Sequence, residues 1–488
     1  MNIVFIAAEC APYAKVGGLA DVAGSLPLAL ARLGHRVVVI IPGHGVIRTD
    51  AYGITPHSTF EMPWNGEISR VDVLTTQSGG VPFYFVRSWP FFTGHEDFVY
   101  HQDEGVNVGR YLFFSAAALA FSRRLAQEEG WRPDVFHLHD WHTSPVALLL
   151  ARLYGEDSML GGAASVLSIH NMRYQGWGIG WHIARAGLPM VDNQLLLAAG
   201  LADNSLAIGL VYSTMLSTVS ARYAQEITTY EGGFGLDGLV HARQMRLVGI
   251  VNGIDTERWN PAASTAIAAP YDADTLDHKV KNKLALQEKL GLPVRPEVPL
   301  ASAVMRLVDQ KGPDIMAAGV RHMLHYADMQ FVVLGTGDPR WEVEMRRLAT
   351  DYPEKASAQI IFDEDLSEEI YAGSDIFLMP SLFEPCGIGQ MLAMRYGVLP
   401  VVRAVGGLVD TVDPTIGFLF NDYSASGVVT GLSAALDVFY RNPAGWLERQ
   451  RRAMALDFSW DASARRYVEL YEQAVGVHRS YPSGIAGG

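Results

Sequence analysis

The sequence predicts an α/β chain built as two doubly wound parallel-sheet domains facing a shared cleft. Three observations carry that prediction. Two glycine-punctuated loops, Lys15-Val16-Gly17-Gly18-Leu19 and Glu384-Pro385-Cys386-Gly387, each stand where an apolar run gives way to a helical pattern. Apolar runs of strand length alternate with helical stretches, and the alternation restarts near Val298. The length of 488 residues is too great for one ordinary core, since domains run to roughly 100–200 residues.

Residues 2–8 form a continuous apolar run, as a central parallel strand requires. A helix is expected over 19–33, broken or kinked at Pro27 and stopped at Gly34. Residues 37–41 read as the next strand, ended by Pro42. The segment 49–103 is rich in Gly, Pro and aromatics and reads as hairpins and loops near the active face, with a strand-like piece at 81–86. A helix is expected over 109–127 and strands over 133–139, 164–169 and 215–219. The runs 299–304, 330–334, 359–362, 375–379 and 399–402 predict a second parallel sheet. The turn chemistry of Val251-Asn252-Gly253-Ile254-Asp255 marks the join, giving domains of 1–252 and 253–459. Residues 461–475 form an amphipathic helix with Tyr467, Leu470 and Tyr471 at helical spacing; the segment 460–480 is expected to pack back on the first domain. A loose glycine-rich end follows Ser480.

Hydrophobic residues make up 49% of the chain and charged residues 18%, a composition of globular enzymes and not of disordered chains. The formal charge of −14 argues against nucleic-acid and anionic-membrane partners, although a site can be locally basic. Only two cysteines occur, Cys10 and Cys386, so a disulfide framework is not expected and a reducing compartment is. The short apolar N-terminus reads as a buried strand and not as a signal peptide, and no apolar run reaches the roughly 18 residues of a membrane span.

The candidate chemistry lies at strand ends. In the first loop, Gly17 and Gly18 allow close approach to backbone amides and Lys15 adds a point charge, which suits phosphate; a tight turn with a solvent lysine is the plainer alternative. Arg306 and Lys311 follow the first strand of the second domain, where two cations suit a diphosphate. Glu384 follows an apolar strand and precedes a helix whose amides could hold phosphate, so its carboxylate fits the gripping of neutral hydroxyls. Gly406-Gly407-Leu408-Val409-Asp410-Thr411 could present further amides. His137-Leu138-His139-Asp140-Trp141-His142 invites a metal reading, but successive strand residues point to opposite faces and should not converge as ligands. The strand end leaves Asp140 near the cleft, and His170 at the next strand end could reach a substrate. Neither cysteine is expected to be a nucleophile.

Together these segments resemble the bacterial glycogen synthase and plant starch synthase family, retaining glucosyltransferases of the GT-B type with two Rossmann-like domains. The resemblance runs through the Lys15 loop, His137 to Thr143, Ile-His-Asn-Met-Arg-Tyr-Gln-Gly from Ile169, Val-Asn-Gly-Ile-Asp-Thr-Glu-Arg-Trp-Asn-Pro from Val251, Arg306 to Gly312 and the segments around Glu384 and Gly406. It implies that Lys15, Gly17, Gly18, Asn171, Cys386, Gly387, Gly407, Leu408 and Thr411 bind the donor and Asp21 the acceptor. Arg306, Lys311, Glu384, His170 and Asp140 would form the catalytic set. The first domain would lie on the acceptor side and the second would bind the nucleotide sugar. The implied reaction takes glucose from ADP-glucose to an α-1,4-glucan in the cytoplasm, with no metal and no cofactor. Two other classes stay open: a related transferase using UDP-glucose or a small acceptor, and a catalytically silent glucan-binding protein. Val16, Met305, Leu382 and Gly389 depart from the residues commoner in the family, and 56–103 matches it poorly.

Overall fold

The computed structural model describes residues 1–480; the glycine-rich end expected after Ser480 lies outside the described residues. The chain divides into two compact units, one of 1–219, 224–253 and the C-terminal helix, the other of 220–223 and 254–459.

The first unit holds a nine-stranded sheet. Its strands are β1 (Asn2–Ile6), β2 (Arg36–Pro42), β3 (Thr55–Trp64), β4 (Glu67–Ser78), β5 (Val81–Arg87), β6 (Val135–His139), β7 (Ala164–Ile169), β8 (Met215–Thr218) and β9 (Leu247–Gly249). They lie in the order β3-β4-β5-β2-β1-β6-β7-β8-β9. The central strands are parallel, with Phe5 opposite both Val39 and His137. They are buried on both faces, which is why they read as unbroken apolar runs. The segment expected to form hairpins supplies β3 and β4, which pair antiparallel with each other, and β4 pairs antiparallel with β5. Chain order reverses between β1 and β6, and ligands bind outside the carboxyl ends of strands at such a point.

The helix Gly18–Arg32 corrects one expectation: it runs through Pro27 without a break. Proline in a helix interior costs about 3 kcal/mol. Here Leu26, Pro27, Ala29 and Leu30 are all buried, and packing against the C-terminal helix outweighs the lost bond. Gly34, at φ +88°, does stop it: His35 N–H returns to Leu30 O, closing a Schellman turn that needs a left-handed residue. The C-terminal helix Trp460–Ser480 buries Tyr467, Leu470, Tyr471 and Ala474 in the core beside β1 and β2 residues.

The second unit holds six parallel strands: β10 (Leu300–Val304), β11 (Gln330–Leu334), β12 (Ala356–Gln359), β13 (Ile376–Met379), β14 (Leu399–Arg403) and β15 (Phe418–Phe420). The order is β12-β11-β10-β13-β14-β15, reversing between β10 and β13. The strand expected over 359–362 is displaced. The sheet takes Ala-Ser-Ala-Gln instead, and Phe362 is exposed. β12 is an edge strand of small and polar residues, half buried and half of intermediate exposure, so it does not read as an apolar run. No helix among the described residues is long and apolar enough to cross a membrane.

Candidate active site

The loop after β1 is not the open phosphate cradle its glycines suggested. Glu9, almost fully buried, accepts the backbone N–H of Val16 at 2.6 Å and of Gly17 at 3.2 Å through one carboxylate oxygen. The Gly17 amide is therefore already bonded to an anion, and the protein supplies it. Gly18 opens the following helix. Lys15 ammonium lies 2.8 Å from Asp21, so the expected donor-binding and acceptor-binding residues are one ion pair. Both side chains are substantially exposed, so the pair itself contributes little stability. Burial raises the Glu9 carboxyl pKa against the lowering effect of the Val16 and Gly17 amides, with the Asp21 charge adding to the rise.

Asp140 follows β6 with a left-handed backbone, φ +54°, a conformation aspartate tolerates. Its buried carboxylate accepts N–H from His170 at 2.7 Å and from Asn171 at 3.4 Å, which ties the end of β6 to the end of β7. Burial pushes its pKa up to about 7; the two amides oppose the shift and the Glu9 charge adds to it. His170 Nε2 lies 3.0 Å from His139 Nδ1, and burial lowers the His170 pKa to about 4. This imidazole is neutral at pH 7 and can bond a hydroxyl but cannot serve as a cation. Asn171 turns its side-chain oxygen to the Arg173 amide.

The geometric argument against a metal needs correction. His137 and His139 are two residues apart, share a face of the sheet, and stack with ring centroids 4.2 Å apart. His137 is bonded instead to Ser168 Oγ at 2.6 Å and to the Tyr471 hydroxyl at 2.8 Å. Among the described residues no group of three or more His, Cys, Asp or Glu could hold a metal ion.

In the second unit, Lys311 and Glu384 meet at 2.6 Å with side chains 17% and 6% exposed, a largely buried ion pair. Ser381 Oγ donates to the same carboxylate oxygen at 3.0 Å. The other, Oε1, has no hydrogen bond among the described residues and can accept from a ligand. Lys311 is placed by Gly312, at φ +70°, where a Cβ would come within 2.2 Å of the Pro380 carbonyl oxygen. Arg306 follows β10, is exposed, and has no side-chain partner among the described residues.

Several expected donor contacts are spent internally. The Gly407 amide donates to the Glu384 carbonyl at 3.0 Å and the Leu408 amide to the Val405 carbonyl at 3.1 Å. Thr411 Oγ1 donates to the Gly407 carbonyl and accepts from Gln390 Nε2. The bonds of these three residues shape the turn. Gly407 is obligatory, since a Cβ would sit 2.2 Å from the Cys386 carbonyl oxygen. Gly387 has φ +78°, and neither it nor buried Cys386 presents a reactive group. The helix behind them, Gly389–Arg395, has seven residues, so the cations carry more of any anion binding than its amides do. Sequence reasoning missed Glu9, Ser381 and His139. For Glu9 the signal was present: a carboxylate directly after an apolar strand that ends at a switch point.

The starch synthase catalytic domain family matches residues 2–242, and glycosyl transferases group 1 matches 285–438. A glycogen synthase of Anaeromyxobacter sp. (strain Fw109-5) is 42% identical, covering 96% of this chain and 99% of the relative. One from Thermotoga maritima is 41% identical, covering 97% and 99%. Among solved structures, the catalytic domain of starch synthase IV from Arabidopsis thaliana, bound to ADP and acarbose, is 34% identical with a TM-score of 0.86, covering 97% of this chain and 99% of that one. A sucrose-phosphate synthase from Thermosynechococcus elongatus, 16% identical with a TM-score of 0.61, shares the fold. The chain belongs to the glycogen synthase and starch synthase family, retaining glucosyltransferases of the GT-B fold.

Proposed function

We propose that this chain transfers glucose from ADP-glucose to the non-reducing end of an α-1,4-glucan, with retention of configuration and release of ADP. The observation that carries the reading is the buried Lys311–Glu384 pair, with exposed Arg306 on the same sheet edge. Lys311 and Arg306 supply positive charge for a departing diphosphate, and pre-placed charge of this kind is often the largest single catalytic effect. Glu384 keeps one oxygen on Lys311 and Ser381 and turns the other to the glucose hydroxyls. A carboxylate so committed suits recognition better than nucleophilic attack.

In this reading the bond from the anomeric carbon to the diphosphate breaks as the acceptor 4-hydroxyl bonds to the same face. The leaving phosphate oxygen takes the hydroxyl proton, so no side-chain nucleophile, metal or cofactor is needed. Neutral His170 and the Asp140 clamp serve the sugar side. The relative from Arabidopsis carries ADP and acarbose, which supports a diphosphate product and an oligosaccharide acceptor here. A cytoplasmic reaction fits two buried cysteines that form no disulfide. A charge of −14 disfavours nucleic acid and anionic membrane as partners.

The test compares ADP- and UDP-glucose, each with glycogen and with short maltooligosaccharides. Chain growth from labelled ADP-glucose on glycogen is expected. Growth from UDP-glucose alone would sink the donor assignment, and glycogen binding without turnover would sink the enzyme reading.

A further inference from the structure

The first glycine loop already holds an anion. Glu9 is 3% exposed, and its Oε2 takes the amides of Val16 and Gly17. Tyr100 lies close enough to feel the same carboxylate, and it belongs to the segment that resembles the family least. Successive amides around an anion are the arrangement that binds phosphate elsewhere. Here a side chain of the protein fills it at Val16 and Gly17, and the charged residue the loop leaves exposed is Lys15, held at 2.8 Å by Asp21.

We propose that Glu9 is a positioning residue for the donor: it fixes Val16 and Gly17 so that the Lys15 ammonium, and not the Val16 and Gly17 amides, meets the donor's phosphate. This rests on the ADP-glucose reading above. A helix-entry loop with two consecutive glycines has wide conformational freedom, and a buried two-bond clamp restricts it. Lys15 carries a long flexible stem, so a fixed root is what gives its charge a defined place. The opposite arrangement, in which the donor's phosphate displaces Glu9 and takes the amides, predicts the opposite sign for the same variant.

The experiment measures KM and kcat for ADP-glucose, ADP affinity by calorimetry, and melting temperature for wild type, Glu9→Ala and Glu9→Gln. Losing a charge-assisted clamp is expected to raise KM and the ADP Kd of Glu9→Ala about 10-fold, with kcat changed less than about 3-fold. Glu9→Gln keeps an acceptor for both amides and is expected to recover KM to within about 3-fold of wild type. In a Lys15→Ala background, Glu9→Ala is expected to add less than about 2-fold, because the two act as one unit. Unchanged KM in Glu9→Ala, or tighter ADP binding, overturns the proposal; the latter makes the loop an open phosphate nest. Should Glu9→Ala fail to fold, Glu9→Asp draws the carboxylate back from both amides and is expected to raise KM about 2–3-fold, while unchanged KM overturns the proposal. Wild type inactive with ADP-glucose would instead refute the function reading, leaving ADP affinity to judge Glu9.

Discussion

At the switch point of the first sheet the strand ends carry Glu9, Asp140 and His170; at that of the second they carry Arg306, Lys311 and Glu384. The two positions are equivalent in topology and opposite in electrostatics. In the first unit burial governs. Glu9 and Asp140 are pushed toward the neutral acid, His170 toward neutral imidazole, and both carboxylates are bonded to backbone amides. In the second unit opposite charges meet, one cation balancing the buried carboxylate and another standing exposed. A desolvated polar rim suits hydroxyls; a cationic rim suits a leaving diphosphate. The same fold position thus hosts different chemistry according to what fills it.

The sharpest way to break this contrast is Glu384→Ala. It leaves the Lys311 ammonium buried and unpaired, expected to cost about 3–5 kcal/mol of stability. Loss of the sugar contact is expected to lower kcat by roughly 10³-fold. Denaturant melts and steady-state rates check both. Intact turnover would remove Glu384 from the site and return the contrast to packing alone.

Asp140→Asn tests the first rim. Asp140 keeps its proton to about pH 7 in the folded chain, against an ordinary 3.8. Between these values the folded state binds more protons than the unfolded one, so stability falls as pH rises. Asp140's contribution is complete below the lower value and lost on passing the upper. The slope is about 1.4 kcal/mol per pH unit at most. Asparagine still accepts the His170 and Asn171 amides but does not titrate, so the melting temperature of the variant relative to wild type should climb with pH across this window. Glu9, shifting the same way, and buried His44, His142 and His170, shifting the opposite way, act on both proteins and cancel in that difference. Equal slopes in variant and wild type would show that burial does not set the character of this rim.

How much of this was legible follows from the same contrast. Strands buried on both faces, such as Asn2–Ile6 and Gln330–Leu334, announce themselves as apolar runs. The edge strand Ala356–Gln359 does not, because its residues are small and polar. Lys311 and Glu384 were readable because charge at a strand end has few other uses. The occupancy of amides was not. Whether Gly17, Gly407 and Leu408 present N–H groups to a ligand depends on Glu9, Glu384 and Val405, which only the tertiary fold brings there. The histidine pair was misjudged because adjacent residues were compared where every second residue shares a face.

Arg306→Ala addresses the exposed half of the second rim. Its guanidinium has no partner among the described residues, so melting should move by less than about 0.5 kcal/mol. A lost charge-assisted contact to the diphosphate is worth about 1.5–3 kcal/mol, or roughly 10- to 150-fold in kcat/KM. Arg306→Lys should recover part of that. A large stability loss with unchanged kcat/KM would make Arg306 structural.

The smallest effect expected lies under the first rim. The Tyr471 hydroxyl meets His137 Nδ1 at 2.8 Å, His137 Nε2 meets Ser168 Oγ at 2.6 Å, and Ser168 meets Ser217 at 2.5 Å. This buried network ties the C-terminal helix to β6, β7 and β8 beneath Asp140 and His170. Tyr471→Phe leaves one His137 nitrogen unbonded, at a cost of about 1–1.5 kcal/mol. If the network only anchors the helix, kcat and KM stay at wild-type values while melting temperature falls. If kcat falls with no loss of stability, the polar chain reaches His170. The first rim would then be tuned by its own interior, and not by burial alone.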